Sequence, residues 1–238
     1  MKAVIFLSAV QNPEEPISCP GGRLQPIPDN TIINDFDLIA VEKAVQLKES
    51  GDLDEVILFC MAGDKSLLQK PLAIGADRAV FVQIENEMLT PEIVVNTALS
   101  AIPAEPDTIW MLGKTGVNFE SHQTAQRLAA ALNIDCICSA FRMERSGADW
   151  LIACEDDFGI PTYRIQVPFV VTTDLRLAEP RFPSLPNLIK AKRKPIQEIS
   201  MPQTSSIPGI IVPAAEKRRA CTFITPDEFI SKYCKSPC

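Results

Sequence analysis

Between Ala3 and Leu112, apolar runs too short to be helices take turns with stretches whose apolar residues recur every three or four positions. The short runs are Ala3–Val10, Asp54–Met61, Ala79–Ile84 and Thr108–Leu112. They are nearly continuous rather than alternating, as strands covered on both faces are. Between the first two, Leu38, Val41 and Val45 fall on one helical face. Asn34 precedes them as an N-cap, Asp37 puts a negative charge in the first turn, and Gly51 can close the helix. Lys65–Ile74 is expected to be helical, shortened or bent at Pro71. Thr90 and Pro91 open a helix over Pro91–Ile102, and Glu120–Leu132 is amphipathic. Strands and helices in this order predict an α/β fold, a doubly wound and mostly parallel sheet with helices on both faces.

Asp135–Arg142 ends the series. Trp150–Cys154 and Thr162–Val167 then alternate around Asp156-Asp157-Phe158-Gly159, which reads as a β-hairpin appended to the sheet. The expected division is therefore an α/β domain with its hairpin over residues 1–173 and a different kind of segment over 174–238. Prolines number 20 in 238 residues, against a usual ~5%, and many follow Pro161. The later segment is expected to be loop-rich, an arm rather than a second core, with a short helix at Pro226–Cys234.

A net charge of -7 excludes general nucleic-acid affinity, which needs a basic surface. No apolar run is long enough to insert in a membrane. Met1–Leu7 fits a first buried strand better than a signal peptide, because Gln11-Asn12-Pro13-Glu14-Glu15 follows without a cleavage site. The eight cysteines include no Cys-x-x-Cys pair, and the single histidine is distant from most of them. They read as reduced, buried thiols of a cytoplasmic protein, with Cys234 and Cys238 as the more exposed candidates.

Ligands of open parallel sheets bind at the carboxyl ends of strands. Three loops fit that edge: Asn34-Asp35-Phe36-Asp37, Cys60-Met61-Ala62-Gly63, and Gly113 to Thr124. In the third, glycines allow close approach of the backbone, and Ser121, Gln123 and Thr124 can donate near a helix start. It is not a Walker loop, because the glycine spacing before Lys114 is wrong. The residues alone leave anion binding and an ordinary capped helix both open. His122 could act as a base, but no nucleophile or carboxylate is spaced to work with it.

Val170 to Lys194 runs from an apolar strand into a loop stiffened by Pro180, Pro183 and Pro186, which offers apolar residues beside Lys190, Lys192, Arg193 and Lys194. This is either a docking element or a connector packed on its own domain. The order Asp174-Leu-Arg-Leu-Ala-Glu-Pro-Arg-Phe-Pro-Ser-Leu-Pro-Asn-Leu-Ile-Lys-Ala-Lys192 resembles the pattern of the electron transfer flavoprotein β subunit family. In that family the loop anchors partner dehydrogenases. The resemblance implies a contact set of Arg181, Leu185, Pro186, Asn187 and Ile189, with Leu185 as the anchoring leucine. Glu155 stands where the family has an Arg-Glu pair facing the flavin domain of the α subunit, and Cys154 replaces the arginine.

The same resemblance bears on the third loop. Gly113, Lys114, Gln123 and Thr124 match the family's AMP-wrapping loop. Asn118 and Glu120 stand at usually acidic positions, and His122 where Asn or Ala is usual. Asn34-Asp35-Phe36 stands for the family's Asn-Pro-Phe, and Cys60-Met61-Ala62-Gly63 echoes Ser-Met-Gly-Pro. The implied AMP site comprises Phe6, Asn34, Asp35, Phe36, Asp37, Met61, Gly113, Lys114, Val117, Asn118, Glu120, Ser121, His122, Gln123 and Thr124. Electron-bifurcating members hold a second FAD there with Gln-Val-Gly, whereas Gln123-Thr124-Ala125 resembles the AMP group.

The resemblance thus implies an electron carrier rather than an enzyme. It would be a heterodimer with an α subunit that holds FAD, taking electrons from acyl-CoA-type dehydrogenases, as in fatty acid oxidation, and passing them to a quinone reductase. The C-terminal arm would embrace the partner. The alternative is a stand-alone adenine-nucleotide-binding regulatory module without a redox role. A hydrolase or transferase using His122 is a third reading.

Overall fold

A computed structural model describes residues 1–14, 31–61, 63–84, 89–117, 120–200, 225 and 228. Asn118, Ala62, Cys234, Cys238 and most of the expected Pro226–Cys234 helix lie outside the described residues. The elements are β1 (Lys2–Gln11), β2 (Thr31–Ile33), α1 (Asp35–Glu49), β3 (Glu55–Met61), α2 (Gln69–Ile74), β4 (Arg78–Gln83), α3 (Pro91–Ala101), β5 (Thr108–Gly113) and α4 (Thr124–Leu132). They continue with β6 (Asp135–Ser146), β7 (Asp149–Cys154), β8 (Thr162–Ile165), β9 (Phe169–Thr173), α5 (Leu185–Ala191) and β10 (Ile196–Ser200).

The fold is α/β, with one sheet in the order β10-β4-β3-β1-β5-β9-β6-β7-β8 and β2 beside the end of β1. From β10 to β6 every neighbouring pair is parallel; β7 and β8 add an antiparallel hairpin. The near-continuous apolar runs have the cause expected of them. Along β1, Ala3, Ile5 and Leu7 join one core while Val4 and Phe6 join the other. The first core lies under α1, α2 and α5, the second under α3 and α4.

Strands are wound outward from β1 through β3 to β4, and the chain then returns to lay β5 on the opposite side of β1. This reversal makes the carboxyl ends of β1 and β5 the switch point of the sheet. Asp37 pins it. Its buried carboxylate accepts hydrogen bonds from the backbone N–H of Ser8 at 2.7 Å and of Gly113 at 3.0 Å, joining α1 to both strands.

Several expectations are corrected. The amphipathic helix expected from Glu120 begins at Thr124, because Glu120 (φ 47°) and His122 (φ 50°) adopt left-handed backbone that cannot continue a helix. The segment expected at Lys65–Ile74 is a 3-10 turn over Lys65–Leu68 followed by α2, with Pro71 inside the first turn of α2 where a missing N–H costs little. Asn34 occupies the N-cap of α1, but its side chain does not cap; its amide donates instead to the Thr115 carbonyl at 2.9 Å. Among the described cysteines, Cys60 and Cys154 are buried, whereas Cys136 is half-buried at the margin of the second core and Cys138 is exposed.

Residues 174–200 stay in the same compact unit as the sheet. α5 packs on α2, and β10 pairs with β4 as a parallel edge strand, Ile196 beside Ala79 and Ser200 beside Gln83. The loop between β9 and α5 is tied down by charge. Arg181 donates through Nε and Nη2 to both carboxylate oxygens of Glu42 and through Nη1 and Nη2 to Glu49, both on α1. Burial alone would raise the pKa of Glu42; the Arg181 guanidinium outweighs it and holds it below the ordinary value.

Candidate functional site

A cavity of about 390 Å3 opens at the switch point. Its floor is the ends of β1 (Phe6–Ala9), β3 (Phe59, Met61) and β5 (Leu112, Gly113). Its walls are Leu89, Thr90, Pro91 and Val94 at the start of α3, Lys114–Gly116 after β5, and Glu120–Gln126 at the start of α4. The volume falls in the ~300–1,000 Å3 range of small-molecule sites. Phe6, Phe59, Met61, Leu89 and Val94 supply an apolar side. Facing the start of α4, Ser121, Gln123 and Thr124 bring polar side chains to unpaired N–H groups at the positive end of a helix dipole. Thr115 Oγ1 is buried without a hydrogen-bond partner, as a polar group awaiting a ligand would be.

Of the residues proposed from sequence, Phe6, Asp37, Met61, Gly113, Lys114, Glu120, Ser121, His122, Gln123 and Thr124 line this cavity. Asn34, Asp35, Phe36 and Val117 do not. Asn34 and Phe36 stand behind the lining: Asn34 holds the Thr115 carbonyl, the Phe36 carbonyl accepts from Thr173 Oγ1 at 2.9 Å, and the Phe36 ring lies 5.4 Å beneath Lys114 Nζ. Asp35 and Val117 are exposed. Ser8, Ala9, Phe59, Leu89, Thr90 and Thr172 were missed. Thr90-Pro91 was readable as a helix start, but placing it at the cavity required knowing that α3 follows a strand ending at the same edge.

Gly113 is dictated by close approach. A Cβ there would stand 2.4 Å from Asp37 Oδ1 and 2.6 Å from Phe36 Cβ. The next residue, Lys114, donates to Asp174 Oδ2 at 2.8 Å, and Arg176 donates to Asp174 Oδ1 at 2.9 Å while pairing with Glu155 at 2.8 Å. Burial would raise the Asp174 pKa, but Lys114 and Arg176 bring it down to about 2. This chain of charges connects the cavity loop to the hairpin. Lys114, expected from sequence to line the ligand site, is therefore already neutralised by a carboxylate.

Asp37 behaves oppositely. Burial raises its pKa to about 6, and the N–H groups of Ser8 and Gly113 with the Asn34 side chain only partly oppose this. A folded pKa above the unfolded 3.8 means that its contribution to stability is present below pH 3.8 and is lost as pH rises through about 6. Asp37→Asn removes this titration. The stability difference between native chain and variant is expected to shrink by about 2–3 kcal/mol from pH 4 to pH 7, measured by urea unfolding. A constant difference would contradict the assignment.

Among the described residues no cluster of His, Cys, Asp or Glu is arranged to hold a metal ion, and no helix is long and apolar enough to cross a membrane.

Residues 28–204 match the family model described as electron transfer flavoprotein domain. The chain is 40% identical over 168 residues to a protein of Bradyrhizobium diazoefficiens named electron transfer flavoprotein subunit beta, covering 70% of this chain and 67% of that one. It is 33% identical over 211 residues to the human protein of the same name, covering 84% and 83%, and 31% identical over 205 residues to the Bacillus subtilis one, covering 84% and 79%.

Proposed function

The chain belongs to the electron transfer flavoprotein family, as a β subunit, and on that premise we propose that it holds AMP in the switch-point cavity and works beside an α subunit that carries FAD. The family supports an electron-transfer role within a flavin-containing complex and an α-subunit partner. The finer reading is that the complex collects electrons from acyl-CoA-type dehydrogenases, as in fatty acid oxidation, and delivers them to a quinone reductase. A cytoplasmic location belongs to the same reading.

The single observation that carries the nucleotide is the cavity itself. Its volume, its apolar side for a base, the donors at the start of α4 for a phosphate, and the unpartnered Thr115 hydroxyl suit a nucleoside monophosphate. Ser121, Gln123 and Thr124 would hold the phosphate, and Gly113 would let the backbone lie against the ligand. AMP here would be a fixed part of the scaffold; redox chemistry would be supplied by the flavin of the α subunit. Denaturing the purified heterodimer and separating the supernatant by liquid chromatography is expected to yield one AMP and one FAD per complex. Flavin without any adenine monophosphate would refute the cavity assignment, and two FAD would indicate the bifurcating type. A colourless chain that purifies alone, with bound nucleotide, would instead favour the stand-alone regulatory module.

For partner docking, the reading rests on the segment after β9. Leu185 is 71% exposed at the first position of α5, beside Pro186, Asn187 and Ile189. Behind it, Arg181 is engaged with α1, so its role toward a dehydrogenase would be to hold the loop still rather than to touch the partner. The C-terminal arm, within residues 174–238, is proposed to embrace the α subunit, with Glu155 facing its flavin domain. Leu185→Ala is expected to lower kcat/KM for reduction by a dehydrogenase about tenfold or more, because single apolar anchors dominate such contacts. Heterodimer yield and flavin content should not change. An unaltered rate would remove Leu185 from the docking surface.

A further inference from the structure

Cys136 and Cys138 lie two residues apart on one face of β6, with sulfurs 3.9 Å apart. Cys138 is exposed and Cys136 half-buried, so the pair opens to solvent. The strand is irregular here: its register on β9 shifts between Ile137 and Ala140, and Ser139 has φ 57°. Cys138 Sγ accepts a hydrogen bond from Gln126 Nε2 at 3.3 Å. Cys154, buried on β7, Asp135, Glu155, Asp156, Tyr163 and Arg164 face the same hollow.

We propose that Cys136 and Cys138 form a reversible dithiol pair that a hydroperoxide oxidises at Cys138 and that Cys136 resolves to a disulfide. In the first step the Cys138 thiolate, its proton already lost to water, attacks the terminal oxygen of the hydroperoxide. The S–O bond forms as the O–O bond breaks, and the alkoxide leaves and takes a proton from water. In the second, Cys136 sulfur attacks Cys138 sulfur; the S–S bond forms, the S–O bond breaks, and hydroxide leaves with the Cys136 proton as water. Two thiols lose two electrons, and the hydroperoxide is reduced to an alcohol.

The surroundings suit these roles. The S–H···S contact between Cys136 and Cys138, with hydrogen bonds from Gln126 and Thr172, lowers the Cys138 pKa below the ordinary thiol value against partial burial. The same contact holds the Cys136 proton on, which is the state a resolving thiol starts from. Cys60, by contrast, is pushed up to about 12 by burial and is inert. Two residues along a regular strand span about 6.4–6.8 Å, at the upper end of what a disulfide bridges. The irregular strand allows the sulfurs to close, and the resulting bond would be the readily reduced kind.

The test uses the flavin-containing heterodimer, with each cysteine followed by peptide mass spectrometry. The pH profile of iodoacetamide alkylation is the first readout. Thiolate fraction rises as pKa falls, but nucleophilicity drops with it, so the alkylation rate at neutral pH moves less than the midpoint does. Cys138 should alkylate with a midpoint clearly below that of an ordinary thiol. Hydrogen peroxide should convert the 136–138 peptide to a disulfide that dithiothreitol reverses. Cys136→Ser should instead accumulate a sulfenic acid on Cys138 that dimedone traps. Cys138→Ser should abolish both products while flavin content stays unchanged. A Cys138 midpoint near the ordinary ~8.5, or a Cys136→Ser complex without a dimedone adduct, overturns the proposal.

Discussion

Gly113→Ala is expected to cost about 3 kcal/mol or more in unfolding free energy, at the upper end of overpacking penalties. The added methyl would sit 2.4 Å from Asp37 Oδ1, 2.6 Å from Phe36 Cβ and 3.0 Å from the Phe36 backbone carbon. None of these is the loose end of a flexible side chain. The first turn of α1 has to move, and with it the carboxylate that receives the Ser8 and Gly113 N–H groups. Both strands at the floor of the cavity lose their common anchor, so bound nucleotide should fall together with stability. Gly51→Ala is the control. Gly51 has φ +85° but nothing within 4 Å, so only the left-handed backbone penalty of about 1–2 kcal/mol applies. Equal losses in the two variants would show that crowding at Gly113 is relieved cheaply.

Arg181→Ala should destabilise by about 2–3 kcal/mol in denaturant unfolding. Removing one partner of a buried ion pair costs ~3–5 kcal/mol because the other charge is stranded. Glu42 is that charge, with its side chain 3% exposed, but Arg181 is itself 37% exposed, and water would take up part of the loss. Replacing Glu42 by Gln in the same chain should recover much of the deficit, since the stranded charge is then gone. The variant should also become sensitive to proteolysis around Phe182, because the segment before α5 loses its tie to α1. A loss below about 0.5 kcal/mol, typical of a surface pair, would mean that the carboxylate finds solvent without help.

These two residues mark what a linear reading can and cannot reach. Arg181 is conspicuous in a dense motif, yet its partner Glu42 lies 139 residues earlier on a helix that reads simply as amphipathic. Nothing local pairs them; the sheet does. Gly113 was legible as a loop glycine, but the atoms that forbid a side chain there belong to Asp37 and Phe36. The parallel sheet was legible because strands buried on both faces carry apolar residues at every position. β10 was not: Ile196-Gln-Glu-Ile-Ser is short and half-polar, with a single isoleucine packed against each core. The start of α4 was misplaced because left-handed backbone at Glu120 and His122 leaves no compositional trace when the residues are not glycine.

The position of β9 has a consequence for how the chain is made. β9 lies between β5 and β6, although β6, β7 and β8 are all synthesised before it. The three earlier strands can pair among themselves as they emerge, but they have no docking edge on the growing sheet until Phe169–Thr173 arrives to bridge the gap. The segment carrying Leu185 follows directly, and Arg181 finds its carboxylates only after that insertion. A newly made chain therefore holds the proposed docking segment in place only once the middle of its sheet has closed, so late insertion of one strand would couple completion of folding to competence for the proposed partners.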